Sequence, residues 1–257
     1  MWLNEMQALA AVQPHPHIVG MYDAWFDTDT RGDAEQAYIK LELCGESLGD
    51  VVKRRVPLRE PEVLEILRQM ASALRRIHEV GMVHLDVKPD NIYTAAGPAA
   101  PSRDREHAVV AAQAAGLSGA IYKLGDFGLA AMPGGQRAGT SEGDAKYLAP
   151  EAFKSHNFLS SGFADRLDIF ALGASAYELL RGSELPKNGP SYHDIRGGKI
   201  FLPSASAQLV LLLKKMMAPD PSQRPTAEQL LRSPLLRPPQ PSGSLQPSTS
   251  LPLPMSQ

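Results

Sequence analysis

The chain has little cysteine, little imbalance of charge and no long apolar run. Its single cysteine, Cys44, excludes an intramolecular disulfide in these 257 residues and fits a reducing, intracellular compartment. With 26 basic and 28 acidic residues, the net charge of −2 gives no electrostatic reason to expect nucleic-acid or membrane binding. No apolar stretch approaches the roughly 20 residues that a membrane-spanning helix needs. The N-terminus carries Glu5 and lacks the basic start and apolar stretch of a signal peptide. We therefore expect a soluble protein of the cytosol or nucleus.

The length allows one large domain or two lobes that share a core. Apolar residues recur at helical spacing in some stretches and at every second position in others, so that one short helix and two strands come first and further helices follow. The predicted elements are helices at 2–12, 60–81, 166–181, 206–217 and 226–232, and strands at 20–27 and 37–43. The helix at 166–181 is apolar almost all round, which predicts that it is buried.

One loop, HLDVKPDN at His84–Asn91, carries the residue types that phosphoryl transfer requires. The reaction needs a carboxylate to orient the attacking hydroxyl, oxygen ligands for Mg²⁺ and a cation for the phosphates. Asp86 can accept the proton of the hydroxyl, and Lys88 can place positive charge against the moving phosphate. Asn91 offers a neutral oxygen to Mg²⁺, a hard cation that prefers oxygen ligands. Taken alone, the same octapeptide could equally be a solvated polar loop.

Further motifs follow in order and make the solvated-loop interpretation improbable. Asp126 begins a DFG triplet after a short apolar strand, where a carboxylate beside a flexible glycine suits a second magnesium ligand. An APE triplet ends with Glu151, Asp168 opens the buried helix, and Arg224 lies in DPSQRPTA. These motifs, in this order, make the chain resemble the eukaryotic protein kinase family over roughly residues 2–236.

The resemblance implies an α+β, protein-kinase-like fold with a truncated small lobe and a mainly helical large lobe. It divides the chain into a small-lobe remnant at 1–44, a large lobe at 45–236 with an insertion at about 94–120, and a disordered tail at 237–257. The tail is rich in proline and serine and cannot bury a core.

The resemblance also assigns the site residues, with ATP and Mg²⁺ as cofactors. It implies catalytic roles for Asp86 and Lys88, and it makes Asn91 and Asp126 the residues that bind the cofactor through its metal. Asp168 is similar to the residue that hydrogen-bonds the backbone of the catalytic loop in this family.

A hinge between the lobes is implied at Glu42–Cys44, where main-chain groups of Glu42 and Cys44 would hold adenine. Leu41, just before it, resembles the gatekeeper residue of kinases. No feature of the sequence lowers the pKa of the Cys44 thiol, so we expect a packing role for this residue. Glu151 and Arg224 resemble the buried ion pair that braces the substrate-binding segment.

Three stretches narrow the resemblance to the Wee family of cell-cycle inhibitory kinases, particularly its plant-type members. They are EGDAKYLAPE at 142–151, DIFALGASAYELLRG at 168–182 and LPKNGPSYHDIRGGKI at 185–200. The translation-initiation-factor kinase group is the runner-up, because it shares an HPNIV…AW pattern with HPHIVGMYDAW but lacks the EGD triplet and the LP-x-NG stretch.

Two departures from the kinase pattern stand out. Leu85 occupies the position of an arginine that pairs with an activating phosphate in many kinases, and leucine has no donor for that contact. We therefore expect the segment around Thr140 and Ser141 to be ordered without a phosphate, by pairing of Glu142 and Asp144 with a cation such as Lys146 or Arg166.

The second departure is that no Gly-rich loop and no VAIK-like lysine precede Glu5, the residue with which such a lysine would pair. We expect the chain to be a fragment, because the four residues of the chemistry are intact, and to be weakly active by itself.

The resemblance implies a kinase that transfers the γ-phosphate of ATP to a protein tyrosine, at the inhibitory site of a cyclin-dependent kinase, so as to restrain entry into mitosis. A catalytically impaired, kinase-like binding module is the alternative, as is a serine/threonine kinase of the runner-up group. The expected partner is a protein substrate rather than nucleic acid or membrane. The expected state is a monomer, located in the nucleus and also in the cytoplasm.

Overall fold

The computed structural model describes residues 2–28, 34–95, 120–131, 144–153 and 161–237. In chain order the elements are α1 (Trp2–Val12), β1 (Met21–Thr28), β2 (Ala34–Leu41), α2 (Leu48–Lys53), α3 (Glu60–Glu79), β3 (Ile92–Ala95), β4 (Ile121–Leu124), α4 (Arg166–Arg181), α5 (Gly189–Arg196), α6 (Ala207–Met216) and α7 (Ala227–Arg232). Nearly all of the predicted insertion and tail lies outside these ranges, so the predicted domain boundaries stay predictions. Among the described helices, none has both the length and the hydropathy that a bilayer crossing demands.

The N-terminal part consists of α1 and an antiparallel hairpin of β1 and β2. The helix predicted at 2–12 is confirmed. Both strands are found, although β2 runs over Ala34–Leu41 and ends two residues before its predicted end. Trp25 pairs with Tyr38 across the hairpin, and their rings stack with centroids 5.4 Å apart.

Three leucines of this part are exposed to water although their side chains are apolar. Leu3, Leu41 and Leu43 are 57%, 40% and 91% exposed. Helix α1 buries the face that carries Leu9 and Val12 against the large lobe, so Leu3 lies on its outer side. The hairpin is a sheet of two strands within the described residues, and so small a sheet leaves most of its side chains in water.

The core of the large lobe is built on α3. Pro61 stands in its first turn, where the missing N–H costs no hydrogen bond. The predicted stripe of this helix is confirmed, because each of its members is 0% exposed: Val63, Leu67, Met70, Leu74 and Ile77. This face packs against α4 and α7.

Helix α4 runs through the middle of the lobe and is buried along nearly its whole length, as predicted. It ends at Gly182, whose φ of 62° is left-handed. A Cβ at this position would lie 2.3 Å from the Pro57 nitrogen, so the close approach requires glycine. Because α4 is fixed on all sides, its first turn is a rigid support for the site.

Strands β3 and β4 form a second antiparallel hairpin, in which Ile92 pairs with Leu124. This pairing brings the end of the HLDVKPDN loop beside the start of the DFG triplet, and Gly125 N–H donates to Asn91 O at 3.0 Å. The sequence predicted the strand before Asp126, whereas β3, α2 and α5 were not predicted. Of these three elements, α2 could have been predicted from Ser47, a favourable N-cap residue whose hydroxyl oxygen accepts from Asp50 N–H.

Candidate active site

The HLDVKPDN loop brings Asp86, Lys88 and Asn91 into one hydrogen-bonded group. Asp86 Oδ2 accepts from Lys88 Nζ at 2.7 Å and from Asn91 Nδ2 at 2.8 Å. Asn91 Nδ2 also donates to Asp86 O at 2.9 Å, so both amide contacts hold the loop and Oδ1 remains available to a metal ion. Asp86 is only 8% exposed, so its carboxylate is nearly buried and is held by these hydrogen bonds.

The charge of Lys88 is secured by its surroundings. Burial by itself would lower the pKa of the ammonium group, but the hydrogen bond and the charge of Asp86, with further help from Asp126, outweigh burial and raise the pKa. Lys88 is therefore a permanent cation beside Asp86 at neutral pH.

The backbone of this loop is held from beneath by Asp168, in the first turn of α4. Its carboxylate is 0% exposed and accepts from His84 N–H and Leu85 N–H, both at 2.8 Å. His78 Nε2 approaches the same carboxylate at 2.9 Å. Leu85 has a φ of 67°, a conformation that costs a leucine on the order of 1–2 kcal/mol. Asp168 thus has the contacts expected from the sequence and holds a strained turn next to Asp86.

Asp126 follows β4 and also has a left-handed backbone, with a φ of 60°. Its side chain is exposed, whereas Phe127 beside it is 0% exposed and packs edge-on against the His84 ring at 4.8 Å. Phe127 therefore anchors the DFG triplet to the catalytic loop and leaves the Asp126 carboxylate facing outward. Asp126 directly follows Gly125, whose N–H binds Asn91 O, and a carboxylate together with an amide oxygen is a donor set that suits Mg²⁺.

The hinge residues lie at the end of β2. Glu42 N–H donates to Gly20 O at 2.7 Å, and the Glu42 carboxylate pairs with Lys123 at 2.9 Å. Within the described ranges, the Glu42 carbonyl and the Cys44 N–H make no hydrogen bond, so both remain available to a base. Burial raises the pKa of the Cys44 thiol to about 11, with a contribution from the charge of Glu42, so the group is a thiol at neutral pH.

Glu5 on α1 faces the site from the small lobe. Burial raises the pKa of its carboxyl group, and the negative charge of Asp126 raises it further. Glu5 forms no salt bridge with any of the described residues. The two carboxylates leave this side of the site short of positive charge.

A cavity of about 510 Å³ opens beside the catalytic loop. Lys88 and Asn91 line one wall and Asp144, Lys146 and Tyr147 line another. The Lys146 ammonium lies 3.7 Å from Asp144 and 3.6 Å from Glu184. A substrate segment that enters this cavity would meet Lys88 and Asn91 directly.

The expectation that Asp144 pairs with a cation is confirmed for Lys146 and wrong for Arg166. Arg166 instead forms an ion pair with Asp165 and donates from Nε to Arg224 O at 3.0 Å. Thr140, Ser141 and Glu142 lie outside the described residues.

The predicted ion pair of Glu151 and Arg224 is present. Arg224 NH1 and NH2 donate to the two carboxylate oxygens of Glu151 at 2.5 and 2.8 Å, and the Arg224 side chain is 0% exposed. The pair joins the end of the APE triplet to the turn before α7.

Comparison with known proteins agrees with this geometry. The family model described as "Protein kinase domain" matches residues 1–236. The chain is 39% identical to a Wee1-like protein kinase of Oryza sativa subsp. japonica over 234 residues, 91% of this chain and 38% of that protein. It is 32% identical to a membrane-associated tyrosine- and threonine-specific cdc2-inhibitory kinase of Drosophila melanogaster over 239 residues, 91% of this chain and 39% of that protein. The chain thus spans about two fifths of the length of these relatives.

A crystal structure of the Rad53 kinase domain and SCD2 in complex with AMPPNP matches with a TM-score of 0.67. The match covers 95% of this chain and 83% of that one, at 23% identity, and therefore speaks for the fold alone. The α+β, kinase-like fold expected from the sequence is confirmed.

Proposed function

The chain belongs to the protein kinase family and resembles its Wee group. From this premise we propose that it transfers the γ-phosphate of ATP to a tyrosine of a cyclin-dependent kinase. The observation that carries the proposal is the intact hydrogen-bonded group of Asp86, Lys88 and Asn91, of which Lys88 and Asn91 line an open cavity. The cell-cycle inhibitory role and a location in the nucleus, and also in the cytoplasm, are parts of the same proposal.

The residues divide the work in the way that phosphoryl transfer demands. Asp86 orients the acceptor hydroxyl and takes its proton, while Lys88 places its charge beside the transferred group. Asn91 and Asp126 would hold Mg²⁺, which supplies charge neutralisation for the phosphates when it is bound. The hydrogen bonds among Asp86, Lys88 and Asn91 fix these three groups before a substrate arrives, which favours electrostatic stabilisation of the transition state.

The tyrosine specificity is supported by the relatives rather than by the loop chemistry. Asp-x-Lys-Pro-x-Asn is a pattern typical of serine/threonine kinases, whereas the Drosophila relative is named a tyrosine- and threonine-specific cdc2-inhibitory kinase. The cavity beside Lys88 is large enough for a phenol ring together with its flanking peptide.

The test is an assay with Mg-ATP and a cyclin-dependent kinase, in which mass spectrometry identifies the phosphorylated residue. Two forms are assayed: residues 1–257, and the same chain extended by any in-frame sequence encoded upstream of Met1. We expect phosphotyrosine from the extended form and a negligible rate from residues 1–257. Asp86→Asn should abolish the activity, and Arg232→Gln, at an exposed position on α7 that does not line the cavity, is the matched control. Phosphoserine without phosphotyrosine would contradict the proposed substrate.

A second candidate is a kinase-like module that binds a cyclin-dependent kinase without phosphorylating it. The environment of Glu5 favours it, because this carboxylate faces Asp126 and no cation among the described residues. Binding of the cyclin-dependent kinase without ATP turnover, in both forms of the chain, would decide for the module.

A further inference from the structure

Helix α5 contacts the short turn Asp144-Ala145-Lys146-Tyr147, called here the DAKY turn. Arg196, at the end of α5, donates from NH2 to the Ala145 carbonyl, 51 residues earlier in the chain. The hydroxyl of Tyr192, one helical turn before Arg196, reaches the same carbonyl at 3.5 Å. Ala145 is therefore held by a helix that follows α4 and has no part in the phosphoryl-transfer group.

The Arg196 guanidinium is itself held in place. Its carbon lies 3.5 Å from the centroid of the Tyr192 ring, and NH1 donates to Tyr192 O at 3.4 Å. Arg196 is 7% exposed, and its Nε is buried without a partner among the described residues. Burial lowers the pKa of the guanidinium, and the ring of Tyr192 and the charge of Asp144 oppose this effect. A cation in such a place is costly unless its contacts compensate for lost hydration.

The rest of the DAKY turn is tied to α4 and the residues that follow it. Tyr147 donates its hydroxyl proton to Glu178 at 2.5 Å, and Glu178 also accepts from Leu185 N–H at 2.7 Å. Within the turn, Asp144 accepts from Lys146 N–H at 3.0 Å and from Tyr147 N–H at 2.9 Å. The turn thus has one support on α4 and a separate one on α5.

We propose that Arg196 is a positioning residue that holds the DAKY turn against α5, so that the wall of the cavity beside Lys88 is fixed without a phosphate on the segment. In many kinases an arginine orders this segment by binding a phosphate on it. Here the Arg196 guanidinium binds the main-chain carbonyl of Ala145 instead. Leu85 fits this arrangement, because it offers no donor to a phosphate from the catalytic-loop side. The effect on activity depends on the proposed function, whereas the effect on the turn does not.

Amide hydrogen exchange of the full chain tests the contact directly. The reporters are the amides of Lys146 and Tyr147, whose hydrogen bonds lie within the turn, and the amides of α3 are the reference. Arg196→Met removes the donor, Arg196→Lys keeps the charge but loses the planar fork, and Tyr192→Leu removes the supporting ring. We expect each change to speed exchange at the reporters about tenfold or more, the factor for one charge-assisted hydrogen bond, and to leave α3 unchanged.

The matched control is Arg181→Lys, because Arg181 also lies over a tyrosine ring, that of Tyr177 at 5.5 Å, but does not contact the turn. Reporter exchange that stays near the wild-type rate in both Arg196 variants would overturn the assignment. Equal acceleration in α3 would reveal a general loss of stability and would overturn it as well.

Steady-state kinetics of the form of the chain that phosphorylates the cyclin-dependent kinase provides the second readout. Since the turn shapes the substrate cavity, Arg196→Lys should raise KM for the protein substrate about tenfold and leave kcat nearly unchanged. A fall in kcat at constant KM would contradict a positioning role. Should the wild type phosphorylate no substrate, the proposed function fails while the exchange experiment still decides on Arg196.

Discussion

Removal of one half of the Glu151–Arg224 pair should be among the most damaging single changes in this chain. Arg224 uses all of its donors: besides the two bonds to Glu151, it donates to Ala218 O at 2.7 Å, Arg166 O at 3.1 Å and Pro219 O at 3.3 Å. Its guanidinium also lies 5.0 Å from the Phe170 ring. The charge has no access to water, so the loss of its partner cannot be repaired by hydration.

Glu151→Ala leaves this buried cation uncompensated. Breaking one half of a buried ion pair typically costs about 3–5 kcal/mol. For a domain of this size, 1 kcal/mol shifts Tm by about 2–4 °C, so a fall of roughly 6–20 °C is expected. Glu151→Gln keeps one acceptor and the shape of the side chain, so its cost should lie at the lower end of that range or below it.

Urea denaturation followed by circular dichroism, with calorimetry for Tm, measures both quantities. The exposed pair of Arg232 and Glu228, with side chains 76% and 56% exposed, is the matched control. Glu228→Ala should change the free energy of unfolding by less than about 0.5 kcal/mol. A loss below about 1 kcal/mol in Glu151→Ala would refute the reasoning, because it would mean that the Arg224 charge is hydrated or paired elsewhere.

Three further changes have expected outcomes. Gly182→Ala should destabilise the fold by about 2–4 kcal/mol in urea denaturation, because a methyl group is strained at positive φ and would meet Pro57; a loss within about 0.5 kcal/mol would contradict this. Burial, and then the positive charges around it, lower the pKa of His15 from 6.5 to about 4, so the folded state binds fewer protons than the unfolded chain between these values. Stability should therefore fall as pH falls through that window, and His15→Gln should flatten the decline; an unchanged slope in the variant would count against the assignment. Burial and the charge of Asp126 raise the pKa of Glu5, so the charged form of this carboxyl group lowers stability as pH rises. Glu5→Gln should therefore raise Tm at neutral pH, and this gain should disappear in acid. A lower Tm in the variant would show that the carboxylate has a cation partner.

Those parts of the fold that depend on local patterns could be predicted from the sequence. The stripe of α3 and the glycine end of α4 follow from helical spacing and from the backbone freedom of Gly182. The group of Asp86, Lys88 and Asn91 was accessible because its members lie within six consecutive residues of one loop.

Other features depend on contacts between distant segments and leave no local signal. The pairing of Lys146 with Glu184 and the bond from Arg196 to Ala145 join segments that no periodicity relates. The exposure of Leu43 has the same origin. From the sequence, an apolar residue at the end of a strand is expected to be buried, and its exposure follows only from the small number of strands that pack near it. Short elements such as α5 are also difficult to predict, because eight residues give barely two turns of periodicity.

The left-handed turn at Leu85 has a consequence for the thermodynamics of substrate binding. Because the turn is fixed by Asp168, which belongs to a helix buried on all sides, the loop reaches its working conformation when the chain folds and does not wait for a ligand. The entropy of ordering that loop is therefore lost once, during folding, and no part of the substrate's intrinsic affinity is consumed in organising it. Leu85→Gly would relieve the backbone strain, but it would also remove a buried side chain and raise the entropy of the unfolded chain, so the strain at Leu85 is tolerated in exchange for a loop that is ordered by folding alone.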